Sequence, residues 1–369
     1  MENTRLSNAS AAKSRPRKFV AGMAAAVAMA IGCSGALAEM PTSGSIIMFG
    51  QSRENPYFGQ NAVGAADIAK KFGWDLTYVE ASSQEQQDAA IQQMLATGNK
   101  PIGIVLNPVS GAAAVASELA IKQAGIPLAI LNQVPSAEQK DLFDVYGGVN
   151  DFLSGVDAAK LLIAGAKKAG VELGDGLVVN TVAGHTAAQQ RVEGFRSVME
   201  KEFPSSHILA DVNSGGYLEN EGYSVGSQII PANKGKFNWI YGVNDALAFG
   251  AMRAAKESGI VPGKDALFVG GTCMNPTTNA AVMAGEIVGS SVQSPYIEGA
   301  AAMYALAAFI NTGKVIDDEM YLSSDNPPSI DEPPHRWNFM PNTALEGTED
   351  AYKNTVIWGK TAQELCNYS

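Results

Sequence analysis

The sequence predicts an α/β protein of two doubly wound parallel-sheet lobes, joined by a multi-strand hinge and followed by an irregular C-terminal tail. Short apolar runs typical of buried strands alternate with helical stretches of about 10 to 15 residues. The order of strand, polar residue and helix is used before about residue 148 and again after it. The chain has 369 residues, 46% of them hydrophobic and 17% charged, which is enough for two domains.

The N-terminus predicts export. A basic region from Arg5 to Lys18 precedes an apolar run from Phe19 to Leu37, and Ala36-Leu37-Ala38 fits the small-residue pattern of a cleavage site. We expect residues 1–38 to be a signal peptide and the mature protein to be periplasmic. The alternatives are a retained membrane anchor and lipoprotein processing at Cys33.

In the first half, each predicted strand ends at a polar residue and a helix follows. Asn55-Pro56 marks the turn before the first helix. The predicted strands are Ser45–Phe49, Asp75–Glu80, Pro101–Leu106 and Pro127–Leu131, and the helices are Tyr57–Phe72, Gln84–Ala96 and one that ends at Ala124. This alternation favours βαβ units and a parallel sheet.

The second half repeats this order after a linking strand. Asp245 is predicted as the N-cap of an Ala-rich helix, because a carboxylate can accept a backbone N–H from the first turn. The strands are Asp144–Val149, Gly176–Val182, His207–Val212, Trp239–Val243, Ala266–Gly271 and Gly289–Gln293, and the helices are one ending at Gly170, Ala187–Glu202 and Tyr296–Asn311. We expect one lobe over 41–148 with 295–325, a second over 149–294, and the tail over 326–369.

Several functional classes are excluded. The net charge is −11 and no basic patch lies beyond the N-terminus, so nucleic acid is not expected as a partner. The dinucleotide-binding, P-loop and nucleophile-elbow motifs do not occur. The three histidines, His185, His207 and His335, lack the spacing of a metal site. We therefore predict a binding protein without catalytic residues, metal or cofactor.

The predicted binding site consists of polar side chains at strand ends and hinge-like joins. An amide offers donors and an acceptor, which suits a hydroxyl, and aromatic faces can cover the C–H face of a sugar or polyol. The amides are Gln51, Asn55, Asn107, Asn132, Asn150, Gln189, Asn244 and Gln293, and the aromatic residues beside them are Tyr57, Phe58 and Tyr217. A turn or cap is the alternative for any single Asn, and core packing is the alternative for Tyr57 and Phe58.

Over about residues 45 to 325 the sequence resembles the periplasmic sugar-binding proteins of ABC importers, of the ribose- and galactose-binding type. The matching motifs are Asn55-Pro56-Tyr57-Phe58, Ile104 to Pro108 (I-x-x-N-P), Arg191 to Phe195 (R-x-E-G-F), Asn244 to Gly250 (N-D-x-x-A-x-G) and Ser291 to Pro295. The resemblance implies ligand contacts by Asn55, Tyr57, Phe58, Asn107, Asn244 and Gln293.

The sequence departs from this family at four positions that are usually charged. Asn132 and Gln133 replace an Asp and an Arg, Gln189 replaces an Arg, and Thr272 replaces an Asp. Charge-assisted hydrogen bonds are stronger than neutral ones. We therefore expect an uncharged crevice and a different ligand, namely a polyol, a deoxy or modified sugar, or another neutral polyhydroxylated compound.

The resemblance implies solute capture by a monomer that delivers its ligand to an ABC permease. The two lobes would close about a hinge near Gly148 and Gln293, with a third crossing near Ser323. The alternative is a periplasmic receptor that presents a sugar-like signal to a chemoreceptor or sensor kinase. A repressor core would need DNA-binding helices where the signal segment lies, and an exported enzyme is the weakest hypothesis.

Two cysteines remain if Cys33 is removed with the signal peptide. An even count in an exported protein favours a bridge between Cys273 and Cys366, which would fix the tail to the second lobe. Two unpaired thiols are the alternative.

Overall fold

The structure is a computed structural model that describes residues 40–183, 185–273 and 276–367. The predicted signal peptide, its cleavage site and Cys33 lie outside the described residues. Within them, no helix combines the length and apolarity needed to cross a membrane.

Strands and helices alternate along most of the described chain. The strands are β1 Gly44–Gln51, β2 Trp74–Ala81, β3 Gly103–Leu106, β4 Leu128–Leu131, β5 Val145–Gly148, β6 Gly176–Asn180, β7 Ile208–Asn213, β8 Trp239–Gly242, β9 Leu267–Val269, β10 Gly289–Val292, β11 Ile316–Tyr321, β12 His335–Phe339, β13 Thr343–Glu346, β14 Val356–Ile357 and β15 Lys360–Thr361. The helices are α1 Pro56–Lys71, α2 Gln84–Ala96, α3 Val115–Gln123, α4 Asp151–Ala169, α5 Thr186–Glu202, α6 Glu219–Ala232, α7 Asp245–Glu257, α8 Pro276–Met283, α9 Pro295–Thr312, α10 Glu349–Asn354 and α11 Ala362–Leu365.

The first lobe is built on a seven-stranded sheet in the order β11-β12-β5-β4-β3-β1-β2, with every neighbouring pair parallel. Its central strands β3, β4 and β5 are buried along their whole length, as expected for a sheet covered by helices on both faces. Helix α9 is Ala-rich and buried over most of its length, and it packs against this sheet beside α1.

The second lobe contains a parallel sheet in the order β7-β6-β8-β9. Strand β10 lies along β9, because Val288 N donates to Phe268 O at 2.8 Å and Thr272 N donates to Ser291 O at 2.7 Å. On its other edge β10 pairs antiparallel with β13. The prediction of two lobes with doubly wound parallel sheets is confirmed.

Three chain segments connect the lobes. The first follows β5 and the second follows β10, as the sequence predicted. The third is the short segment between β12 and β13, where Met340 N donates to Gly148 O at 2.7 Å and Asn342 Nδ2 donates to Asn150 O at 3.2 Å. The prediction of a third crossing near Ser323 is therefore wrong. Ser323 accepts a hydrogen bond from Trp358 Nε1 instead.

The segment after residue 326 is ordered and is divided between the lobes, so the prediction of an irregular tail is wrong. Strand β12 joins the first sheet and β13 pairs with β10. The short helix expected near its end is present as α11. The structure also joins Cys273 to Cys366 by a disulfide with Cα atoms 5.0 Å apart, which lies within the usual range. The disulfide attaches the end of the chain to the second lobe.

The N-cap of α7 is Asn244 and not Asp245, which corrects the sequence prediction by one residue. Asn244 has extended backbone angles and its Oδ1 accepts from Leu247 N at 2.8 Å. Asp245 is the first helical residue, and its buried carboxylate accepts from Ser290 Oγ at 2.9 Å. Strand β8 ends at Gly242, Asn244 still has extended backbone angles, and the helix begins at Asp245, the residue after this cap.

Helices α1 and α9 approach each other so closely that Gly64 has no space for a side chain. A Cβ atom there would lie 2.0 Å from Tyr296 O. We expect Gly64→Ala to lower the free energy of unfolding by about 1–3 kcal/mol, because the helices must move apart. Gly59 is a matched control in the same helix, since its Cβ would meet only Arg53 Cγ at 4.0 Å.

Chemical denaturation of both variants checks this expectation. Gly59→Ala is expected to be neutral or stabilising by up to about 1 kcal/mol, because Ala is the better helix former. Equal stability changes in the two variants would contradict the close helix contact.

Candidate ligand-binding site

A crevice of about 50 Å³ lies where the carboxyl ends of strands from both sheets meet. Its lining comprises Asn55, Tyr57, Phe58, Asn132, Thr181, His185, Arg191, Tyr217, Val243, Asn244, Thr272 and Gln293. Of these, Thr181, His185, Arg191 and Val243 were not predicted as site residues. A volume this small accommodates water but not a sugar. A ligand of that size can enter only if the lobes separate.

Four predicted site residues do not line the crevice. Asn107 is fully buried behind it. Gln51, which also lies outside the lining, donates from Nε2 to Asn107 Oδ1 at 3.3 Å. Asn150 caps α4 and donates to Tyr321 Oη at 2.7 Å. Gln189 lines a surface groove of about 280 Å³ that adjoins the crevice, since His185 lines both. Strand-end position brought these amides near the crevice, but each side chain bonds to another partner or turns to the surface.

Aromatic rings lie on both sides of the crevice. In the first lobe, Tyr57 and Phe58 form an edge-to-face pair with centroids 5.6 Å apart. In the second lobe, His185 and Tyr217 form a similar pair at 5.4 Å. Edge-to-face pairs hold each other's orientation, so both walls present fixed apolar surface.

Three helices begin at the crevice, and a lining residue caps each of them. Asn55 accepts from Tyr57 N at the start of α1, and Asn244 caps α7. His185 caps α5 through Nδ1, which accepts from Ala188 N at 3.2 Å. The hydrogen of the neutral ring is therefore on Nε2. Burial, and then the nearby Arg191, lowers the pKa of His185 to about 4, so the ring is neutral at pH 7.

Arg191 is the cation of the site and was missed as a ligand-site residue. It donates from Nε to Asp151 Oδ1 at 2.8 Å, from Nη1 to Val243 O at 3.1 Å and from Nη2 to Gln293 Oε1 at 2.5 Å. Asp151 is fully buried and Arg191 is 9% exposed. The R-x-E-G-F motif contained this residue, but its position within a helix gave no sign that it faces the crevice.

Glu298 lies directly behind the crevice and was also missed. It is fully buried on α9, and its carboxylate accepts from Tyr57 Oη at 2.7 Å and from Asn61 Nδ2 at 3.1 Å. It also accepts from Asn132 Nδ2 at 3.3 Å and from Gln293 Nε2 at 3.4 Å. Burial, the largest cause, raises the pKa of Glu298 to about 7.

The expectation of an uncharged crevice is therefore wrong. Arg191 contributes a guanidinium to the lining, and the Glu298 carboxylate lies one residue layer behind Asn132 and Gln293. Asn132, which replaces a charged residue of the family, donates to the Glu298 carboxylate, and comparison at that position alone did not reveal this charge. Among the described residues, no cluster of His, Cys, Asp and Glu could hold a metal ion.

Backbone strain and an unsatisfied hydroxyl mark two lining residues. Asn132 and Thr272 have φ angles of 70° and 85°, in the left-handed region that non-glycine residues seldom adopt. Thr272 Oγ1 is buried and has no hydrogen-bond partner in the described part of the chain. A buried hydroxyl without a partner is costly, so a ligand oxygen near it would gain a hydrogen bond.

Comparison with known proteins identifies the family. Residues 46–314, more than half of the 369-residue chain, match the family described as a periplasmic binding protein domain. The chain belongs to this periplasmic binding protein family. The resemblance inferred from the sequence motifs is thus confirmed.

Two relatives of this periplasmic binding protein are named for the sugar that they bind or import. It is 28% identical to the galactofuranose-binding protein YtfQ of Escherichia coli (strain K12), over 64% of this chain and 73% of that one. It is 25% identical to the D-apiose import binding protein of Actinobacillus succinogenes, over 76% of this chain and 86% of that one. These names describe transport proteins and not enzymes, and they do not support the chemoreceptor alternative.

A solved structure has the same fold. The periplasmic binding component of the arabinose ABC transporter from Shewanella sp. ANA-3, bound to α- and β-L-arabinofuranose, superposes with a TM-score of 0.69 at 22% identity. The superposition covers 83% of this chain and 93% of that one. It confirms the fold class for most of the chain.

Proposed function

We propose that this periplasmic binding protein captures a small neutral carbohydrate or polyol between its lobes and delivers it to an ABC permease. The observation that supports this most strongly is the composition of the crevice. Each lobe contributes an aromatic pair, and hydrogen-bonding side chains from both lobes converge on one space. The names of the proteins compared above mention galactofuranose, D-apiose and L-arabinofuranose, which agrees with a small hydroxylated ligand.

The proposed cycle depends on hinge closure. The crevice receives residues from the first lobe, such as Asn132, and from the second lobe, such as Asn244. A ligand that bonds to both favours the closed arrangement, because it has more contacts there than when the lobes are apart. We propose that the permease binds the closed form, and that the protein acts as a monomer.

We further propose that the protein is exported and is not an enzyme. Residues 1–38 would be removed as a signal peptide, so that the mature protein works in the periplasm. Lipoprotein processing at Cys33 stays the alternative. Arg191 is bonded to Asp151, Val243 and Gln293, and neutral His185 is used as a helix cap. Neither has the arrangement of an activated nucleophile and base.

A thermal-shift screen followed by calorimetry tests the proposal. The panel is D-ribose, L-arabinose, D-galactose, D-allose, myo-inositol and glycerol. A ligand present at 100 times its Kd should stabilise the fold by about 2.7 kcal/mol. Gln293→Ala and Asn244→Ala should each abolish most of that stabilisation, measured against the unliganded form of the same variant because Asn244 also caps α7.

Gln189→Ala is the matched control, since this amide lies in a surface groove and not in the crevice. It should keep the full stabilisation. A ligand whose effect survives in both crevice variants would contradict the site, and failure of every panel member to bind would contradict the ligand class.

A further inference from the structure

A chain of hydrogen bonds runs from one lobe to the other behind the crevice. It begins at Asp151 at the start of α4, passes through Arg191 on α5 and Gln293 in the hinge, and ends at Glu298 on α9. All four side chains are at least nine-tenths buried. The two carboxylates at the ends are thus connected through one guanidinium and one amide.

The direction of every bond in this chain is fixed by its charged members. Arginine can only donate, so the Gln293 atom that it contacts must be the carbonyl oxygen. The Gln293 amide nitrogen therefore faces Glu298, and an ionised carboxylate can only accept. The orientation of Gln293 follows from Arg191 on one side and from Glu298 on the other.

The same reasoning orients Asn132. Its Nδ2 lies within 3.3 to 3.4 Å of both Glu298 oxygens and 3.4 Å from Tyr57 Oη. With Nδ2 directed at the carboxylate, Oδ1 is the amide atom left for the crevice that Asn132 lines. The first-lobe wall therefore offers an acceptor. The second-lobe wall offers donors, from Arg191 and from Nε2 of His185.

We propose that Glu298 is a positioning residue that sets which hydrogen-bonding groups of Asn132, Gln293 and Tyr57 face the ligand. It thereby selects a ligand hydroxyl that donates to the first-lobe wall and ligand oxygens that accept from the second-lobe wall. This inference rests on the proposed function and defines the ligand further. Analogues that lack a donating hydroxyl at that position, such as O-methyl or deoxy compounds, should bind poorly.

The proposal implies that ligand affinity depends on the ionisation of Glu298. A protonated Glu298 must itself donate one hydrogen bond, so one of its four donors has to turn away. The Tyr57 hydroxyl, 2.7 Å away, can do this by rotating its hydrogen without moving any heavier atom. Tyr57 would then present a donor beside Asn132 where the ionised form presents none, and this donor would oppose a ligand hydroxyl that donates to Asn132 Oδ1.

The groups around Glu298 allow its titration to be isolated. Those that face it are Tyr57 on α1, Tyr146 on β5, Asp151 on α4 and, through Gln293, Arg191 on α5. Burial raises the pKa of Tyr146 well above its ordinary value, so it stays neutral near pH 7. Asp151 and Arg191 are unchanged in a Glu298→Gln variant, which therefore removes one titrating group and leaves the others.

The first experiment needs no ligand. The side-chain ¹³Cζ resonance of Tyr57 is followed by NMR from pH 5 to pH 8.5 in the wild type and in Glu298→Gln. We expect a titration near pH 7 in the wild type, where burial raises the pKa of Glu298, and a flat profile in the variant. A flat wild-type profile, or one that persists in Glu298→Gln, would overturn the inference.

The second experiment measures Kd by calorimetry at pH 5.5 and pH 8.5, using the tightest binder among D-ribose, L-arabinose, D-allose and myo-inositol. The wild type should bind about tenfold more weakly at pH 5.5, the effect of losing about one net hydrogen bond. Glu298→Gln should bind weakly at both pH values. If the panel binds with a Kd that does not change with pH, the inference fails and the proposed function stands.

Glu118→Gln is the matched control for burial alone. Glu118 is also buried in the first lobe, and burial raises its pKa to about 7, but it contacts Gln139 and does not line the crevice. This variant should keep the tenfold pH dependence of Kd. If Glu118→Gln removed that dependence as fully as Glu298→Gln, the effect would be one of general stability and the positioning role would be refuted.

If no panel member binds, the proposed function fails for these ligands, and the Tyr57 titration still decides the role of Glu298.

Discussion

Replacing Arg191 with methionine is expected to lower the free energy of unfolding by about 3–5 kcal/mol at pH 7, because it leaves the fully buried Asp151 carboxylate without its cation. Asp151 Oδ2 already lacks a hydrogen-bond partner within the described residues. Burial raises the pKa of Asp151 even with Arg191 present. Without the guanidinium it should rise further, so the variant should be least destabilised near pH 4 and lose more stability as the pH rises.

Urea denaturation at pH 4 and pH 7 measures this effect. Arg196→Met is the control, since Arg196 lies on the same helix and contacts Asp211 at 3.8 Å on the surface, where a pair contributes at most about 1 kcal/mol. The double variant Asp151→Asn with Arg191→Met should recover part of the loss. If Arg191→Met cost no more than Arg196→Met, the buried ion pair would not stabilise the interior of the second lobe.

Removal of the disulfide is the second change with a large expected effect. Cys273 and Cys366 are 93 positions apart, and a bridge that closes a loop of this length reduces the entropy of the unfolded chain by the equivalent of about 4–5 kcal/mol. Cys273→Ala with Cys366→Ala should lose most of this stabilisation. The loss should appear as a lower denaturation midpoint, with the end of the chain released first.

The control for the disulfide uses reductant and alkylation. Reduction should destabilise the wild type and leave the double variant unchanged, and mass spectrometry after alkylation should show two labelled cysteines in the wild type only when it is reduced. Labelling of Cys273 and Cys366 in the unreduced, denatured wild type would show that they do not pair. The alternative of two unpaired thiols, which the sequence left open, would then be correct.

The sequence predicts the fold well where one local signal dominates. Helix α2 has the bounds predicted for it, because it is polar, periodic and bounded by turns. Helix α6 was not predicted, since Gly222 and Pro231 within it weaken the helical pattern. Gly222 is required by packing, because a Cβ atom there would lie 2.4 Å from Leu247 O. A glycine that is required for a close helix contact therefore weakens the sequence pattern by which the helix would be predicted.

The C-terminal segment was misjudged for a different reason. Proline pairs such as Pro333-Pro334 indicate a break in secondary structure, and the residues immediately after them form β12. Strand β12 is stabilised by pairing with β5, nearly two hundred residues earlier in the chain. Pairing over such a distance has no local signal, so sequence analysis could not place this strand or the third crossing.

The polar lining of the site was partly predictable, but its charges were not found. Strand ends indicated Asn132, Asn244 and Gln293, which meet at the crevice because the carboxyl ends of parallel strands share one edge. Glu298 is a lone charged residue in the otherwise uncharged helix α9, and that pattern was a signal of a buried functional carboxylate. Its partners on α1 and immediately after β4 are known only from the tertiary structure.

The most direct test of the proposed ligand site is a crystal structure with the tightest panel ligand bound. We predict ligand density between the lobes, with one hydroxyl within hydrogen-bond distance of Asn132 Oδ1 and another oxygen near Arg191 or His185. Ligand bound instead in the surface groove of Gln189, Asp211 and Asn213, with the interlobe crevice empty, would contradict the proposed site.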